Sequence, residues 1–145
     1  MEGEDHYRAL ERMYGAAPIN GIFQPRLTVT DGAAVVEMEL TRDLHHAAGA
    51  AHGAVYFKML DDAAFFAANS LETEVFVLTA SFTTYLTHPV VSGTLRSTGK
   101  VVSRTRSQFI AEAVISDRDG KEVGRGNGIF VRGKLRLETA LGYKM

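Results

Sequence analysis

Two adjacent carboxylates, Asp61 and Asp62, interrupt a run over residues 52–69 that is otherwise apolar on nearly every face. As a helix, that run belongs in a core with other elements packed around it. Burying an ionised carboxylate without partners costs roughly several kcal/mol, so an unexplained one is a candidate for chemistry. Helical phase tells the two apart. Lys58, Asp62 and Asn69 share one narrow stripe, with Lys58 four residues before Asp62 and within reach of an ion pair. Asp61 is turned about 100° away, among Phe57, Ala64, Phe65 and Ala68. Asp61 is therefore the carboxylate without an ordinary structural role.

Other reactive groups are scarce. His45, His46, His52 and His88 lack the i,i+4 helical pair or cysteine knuckle of a zinc site, so no metal is expected. His52 stands at the helix entrance, where a structural role is weighed above direct acid–base catalysis. The absence of Gly-x-Ser-x-Gly disfavours a nucleophile-elbow hydrolase. Nor is there a Gly-x-Gly-x-x-Gly run or P-loop for a dinucleotide or NTP.

The elements that must hold Asp61 follow from patterning. A chain of 145 residues builds one domain (residues 1–145) with a real core. A short amphipathic helix is expected over residues 5–14, with Tyr7, Leu10 and Tyr14 on one side and Gly15 ending it. Asp31-Gly32 joins two β-rich segments, 26–30 and 33–40, as a hairpin. A His-, Ala- and Gly-rich loop over 43–51 leads into the long helix, 53 to about 70. Four further β-rich segments follow at 75–86, 94–103, 109–116 and 122–131, the last two joined around Asp119-Gly120. The core spans about 22–132, and the tail, 133–145, has a mixed polarity that assigns it to no element. About six strands with one all-round apolar helix leave one arrangement, an α+β domain whose antiparallel sheet wraps the helix. Its outer face and edge strands need cover, which favours a homo-oligomer.

Composition limits the partners. A net charge of −1 offers no global case for nucleic acid or an anionic membrane. Zero cysteines exclude disulfides and thiolate chemistry. The acidic first residues lack a secretory pattern and charges interrupt the longest apolar run, so no membrane span and a cytoplasmic address are expected.

The segment 44–54, Leu-His-His-Ala-Ala-Gly-Ala-Ala-His-Gly-Ala, followed by Asp61, resembles the signature of PaaI-like acyl-CoA thioesterases of the hotdog-fold superfamily. There an Asn-x-x-Gly-x-x-His-Gly-Gly run precedes the central helix, and its aspartate follows the histidine at the His52-to-Asp61 spacing. Residues 83–89, 101–106 and 119–126 look like the family's later strands and hairpin, so the likeness covers about 35–132. It implies a hotdog fold, with the Gly53 N–H polarising a thioester carbonyl and Asp61 acting as nucleophile or general base. The family's Asn falls at His46, whose imidazole can donate one hydrogen bond in its place, and its second Gly falls at Ala54. Thr79, of the parity set Thr79, Ser81 and Thr83, is the hydroxyl expected to orient the carboxylate or water. Ser103, Arg104 and Arg106 are the coenzyme A candidates, arginine forks being suited to phosphate. No cofactor is implied beyond coenzyme A as part of the substrate.

The helix adds a constraint of its own. Eight residues separate Gly53 from Asp61, about 12 Å along one axis. Both cannot touch one carbonyl in a single chain, so a homodimer is expected as a catalytic requirement, with a homotetramer possible from the family. Three functions fit these residues: an acyl- or aryl-CoA thioesterase, a hydroxyacyl-thioester dehydratase, and a non-enzymatic acyl-CoA sensor. The spacing matches the first. Phe57, Phe65, Phe66 and Tyr85 are the expected aromatic lining.

Overall fold

The computed structural model describes residues 2–145. Helix α1, Glu2–Ala16, buries His6, Ala9, Leu10 and Met13, the i, i+3, i+4, i+7 stripe of an amphipathic helix. It is longer than expected at both ends, since Gly15 is accommodated one residue before the chain turns towards Pro18. A one-turn helix absent from the sequence reading, α2 (Asn20–Phe23), follows and ends on Gln24 in the left-handed region (φ 54°). Strands β1 (Arg26–Thr30) and β2 (Ala33–Leu40) form the Asp-Gly hairpin, with Thr30 opposite Ala33 and Gly32 at φ 70°. A 3₁₀ turn, Arg42–Leu44, precedes the central helix α3, Gly53–Ser70. Strands β3 (Val75–Leu86), β4 (Gly93–Arg104), β5 (Gln108–Ser116) and β6 (Glu122–Arg136) follow, and a 3₁₀ turn, Leu137–Thr139, comes after them.

All six strands form one antiparallel sheet in the order β1-β2-β4-β5-β6-β3, wrapped around α3. The α+β architecture expected from the patterning is the one found. Period-two alternation carries it: on β5, Phe109, Ala111, Ala113 and Ile115 point inward and their neighbours do not. Helix and sheet approach closely at Gly99, where a Cβ would meet the Ala63 backbone at 2.4 Å. Only glycine fits there.

Strand β3 forms one edge of the sheet and is irregular near its middle. A β-bulge falls between Thr79, opposite Phe130, and Ser81, opposite Ile129, leaving Ala80 unpaired. Side-chain parity flips at that point. Thr79 faces α3, Ser81 and Thr83 are exposed, and Phe82 turns in against Phe57 and Phe130. The expectation that Thr79, Ser81 and Thr83 share a face fails because a bulge breaks the period of two.

The tail also differs from expectation. Strand β6 runs on to Arg136, Leu137 is 1% exposed, and Tyr143 joins the buried His6. His6 Nε2 donates to the Asn69 carbonyl at 2.8 Å, which leaves Nδ1 to accept from the Tyr143 hydroxyl at 2.7 Å. Asn69 is wholly buried, and its amide serves the chain turning into β3 by donating to Glu72 O and Val75 O and accepting from Val77 N–H. It is no part of a polar stripe with Lys58 and Asp62.

Candidate functional site

Asp61 is half-buried on α3 and lines a cavity of about 210 Å³ with Thr79, Phe65 and Phe66. Thr79 Oγ1 donates to Asp61 Oδ1 at 3.0 Å, and Oδ2 has no partner among the described residues. Burial raises the Asp61 pKa to about 6; the Thr79 bond and the Lys58 charge oppose the rise, and the neighbouring Asp62 charge adds to it. The carboxylate therefore titrates near neutrality, within an apolar wall.

Asp62, one residue on, is held at Oδ2 by two partners. Lys58 Nζ reaches its Oδ2 at 2.8 Å, and the Tyr14 hydroxyl donates to the same oxygen at 2.6 Å. Burial and the Asp62 charge together push the Tyr14 hydroxyl pKa upward, so it remains a donor. The Lys58 ammonium also lies 5.4 Å from the Tyr14 ring centre and 5.2 Å from that of Phe23.

Gly53 opens α3, and its N–H meets no acceptor among the described residues. At the first helical position, that N–H carries the positive end of the helix dipole. Gly53 shares a cavity of about 290 Å³ with His46, Tyr56, Leu86 and His88. His46 Nδ1 accepts from the Ala48 N–H at 3.1 Å, so the neutral ring presents Nε2–H as a free donor. Gly53 and His46 are thus brought together, and Asp61 lies in a different cavity of the same chain.

The remaining candidates are dispersed. His52 caps α3, its Nδ1 accepting from the Ala54 N–H at 2.9 Å. Both line a third cavity of about 280 Å³, with Phe23, Leu44 and His45, apart from the one at Gly53. The Ala54 N–H is consumed by that cap. Arg104 and Arg106 line a broad recess of about 600 Å³ with Glu72, Glu74 and Arg132 near the opposite end of α3. Arg132 pairs there with Glu72 at 2.6 Å, and Arg104 lies over the Phe109 ring at 5.7 Å. Ser103 is exposed on β4 just past a register shift. Of the expected aromatic lining, Phe65 and Phe66 face the Asp61 cavity; Phe57 and Tyr85 are 44% and 56% exposed and do not.

Sequence reasoning missed the N-terminal contribution. Met13, Tyr14 and Asn20 all line the Asp61 cavity. The apolar side that Tyr14 shares with Leu10 was the available signal, but nothing in periodicity says which part of α3 that side covers.

Solved structures share this architecture. The PaaI protein from the phenylacetic acid degradation operon of E. coli superposes with a TM-score of 0.84 at 20% identity, over 94% of this chain and 99% of that one. A thioesterase family protein from Silicibacter pomeroyi gives 0.75 at 23% identity, over 86% of this chain and 99% of that one. AziG of S. sahachiroi gives 0.76 at 25% identity, over 83% and 99% respectively. The common architecture is the hotdog fold, a sheet wrapped around one central helix. Among curated protein sequences, none matches. Residues 48–124, from the loop before α3 into β6, match the thioesterase superfamily, and the chain belongs to that superfamily.

Proposed function

We propose that the protein hydrolyses acyl- or aryl-CoA thioesters to the free acid and CoA. The observation that carries this is Asp61, a carboxylate in an apolar cavity, held at one oxygen by Thr79 and raised to a pKa of about 6. A base poised near neutrality suits attack on a thioester carbonyl, either directly or through a water. In the water route, the oxygen of water adds to the carbonyl carbon and its proton passes to Asp61. The C–S bond then breaks, and the CoA thiolate takes that proton.

The oxyanion needs a donor, and Gly53 offers an unpaired N–H at the start of α3. Their separation, about 12 Å along the helix axis, and their different cavities support a site built from Gly53 of one subunit and Asp61 of another. A homodimer is then part of the catalyst. His46 Nε2–H supplements the Gly53 donor, and Arg104 and Arg106 serve the coenzyme A phosphates. A dehydratase would set His52 against an acid, whereas its Nδ1 is occupied in capping α3.

Release of free CoA thiol from a panel of acyl- and aryl-CoAs tests the proposal. Turnover by the wild type, lost by about 10²–10⁴-fold in Asp61→Asn, is expected. Full activity in Asp61→Asn would contradict it.

A further inference from the structure

Three contacts lay strand β3 along one stripe of α3. A Cβ at residue 53 would meet Leu86 at 3.3 Å, the Phe57 ring packs edge-on to Phe82 with centres 5.8 Å apart, and Thr79 bonds to Asp61. Gly53, Phe57 and Asp61 follow one another at intervals of four residues, so the stripe drifts by only about 40° per step. Phe57 stands at its centre and is 44% exposed. It has no room to turn inward, because Phe82 fills that space. The Phe82 ring lies over Gly126 and Gly128 of β6, where a Cβ would meet it at 2.5 Å. Strand β3 is also the free edge of the sheet, and Leu78, Tyr85 and Leu86 are exposed on it. Apolar side chains beside an unpaired strand edge call for cover.

Symmetry says what covers them. Two sites, each built from Gly53 of one subunit and Asp61 of the other, are related by a two-fold axis, because each chain gives and receives the same contact. The two copies of α3 then run antiparallel, and the axis passes at the midpoint of the span from 53 to 61, which is residue 57. The line joining the two copies of residue 57 is the average of the two lines that join Gly53 to the partner subunit's Asp61. The copies of Phe57 are therefore about as close together as Gly53 and that aspartate, or closer.

We propose that Phe57 meets its own copy on the two-fold axis of a homodimer, and that the paired rings form the wall between the two thioester sites. This rests on the shared site proposed above. The ring pair buries the apolar centre of the stripe and excludes water from the space between the two sites. An aromatic side chain held outward by Phe82 suits that position, since it contributes a large contact area at low cost in side-chain entropy.

The test is thiol cross-linking. The chain has no cysteine, so one introduced thiol reports one position. Phe57→Cys, Gly53→Cys, Asp61→Cys and a refolded mixture of the last two are treated at low protein concentration with a short bis-maleimide and run on denaturing gels. Phe57→Cys should shift mostly to twice its mass. Gly53→Cys and Asp61→Cys alone should stay largely single, because antiparallel helices offset their own copies by about 12 Å. Their mixture should cross-link in about half of the chains, the share that random pairing gives. Thiol release by the wild type is measured alongside. Phe57→Cys that stays single while the mixture cross-links would overturn the axis and keep the shared site. Gly53→Cys cross-linking alone as fully as Phe57→Cys would overturn it as well. No cross-linking in any sample would remove the shared site and this interface together. A cross-link in Phe57→Cys beside a wild type that releases no thiol would support the interface and sink the proposed hydrolysis.

Discussion

Thr79 Oγ1 donates to Asp61 Oδ1 across the contact between β3 and α3, and the bulge at Ala80 confines this hydroxyl to the helix side while Ser81 and Thr83 face outward. The bond favours the ionised carboxylate and so works against burial, the larger influence on Asp61. For a reaction that uses Asp61 ionised, kcat/KM should fall tenfold per unit as pH drops below about 6. Thr79→Val removes the donor. The acidic limb of the pH–rate profile should then move up by about one unit. A limb that stays in place would disconnect Thr79 from the titrating group.

Burial of Asp61 has a thermodynamic counterpart. Its pKa rises from 3.8 unfolded to about 6 folded, so the folded chain holds the proton more tightly. The protonated form folds without penalty at low pH, and stability is lost as pH climbs through the interval between those values. Asp61→Asn imitates the neutral side chain. It should match wild-type stability near pH 3, below the unfolded value, and exceed it above pH 7 by up to about 3 kcal/mol. Urea unfolding at the two pH values measures this, and equal stabilities at both would refute a raised pKa.

Gly53 occupies the first helical position, where proline is tolerated because its missing N–H has no intrahelical partner. His52, at φ −63° and ψ 145°, already has the extended conformation that a following proline requires. A Cβ at residue 53 meets only Leu86 Cδ1, at 3.3 Å. Gly53→Pro therefore deletes one N–H with little other disturbance. Its kcat should drop about 10²–10³-fold, the usual loss for one oxyanion donor, with thermal stability preserved. Gly53→Ala retains the N–H and should lose far less. Equal losses in both variants would point to crowding instead of a lost donor.

The recess at Arg104 and Arg106 lies near the opposite end of α3 from Gly53, and Arg106 forms no ion pair among the described residues. If it receives coenzyme A phosphates, Arg106→Ala should raise KM for acyl-CoA by about three- to tenfold, the worth of one charge-assisted contact. Hydrolysis of the same acyl group on pantetheine, which lacks the nucleotide, should be unaffected. An equal rise with both substrates would assign Arg106 another role.

How far the sequence carries the structure depends on what each residue answers to. The boundaries of α3 and β3, and the Asp31-Gly32 hairpin, follow from local pattern because Gly53, Gly32 and the alternating strands meet local requirements. The Lys58–Asp62 pair is visible for the same reason, being one helical turn apart. The bulge at Ala80 leaves no sequence mark and depends on pairing with β6. Asn69 reads as one more polar residue near a helix end, yet its amide is consumed by long-range turns. The Tyr14–Asp62 bond spans 48 positions, and Tyr143 reaches His6 across 137. Side-chain periodicity cannot specify pairings at such separations.

The central claim, that one site draws Gly53 and Asp61 from different subunits, is tested most directly by mixing two inactive variants. Asp61→Asn and Gly53→Pro chains, unfolded together and refolded, would form heterodimers in which one site recovers both native groups and the other lacks both. With random pairing, about one quarter of wild-type thiol release should return, although neither variant alone is active. Mixtures that form heterodimers yet stay as inactive as the parents would contradict a shared site and place both groups within a single chain.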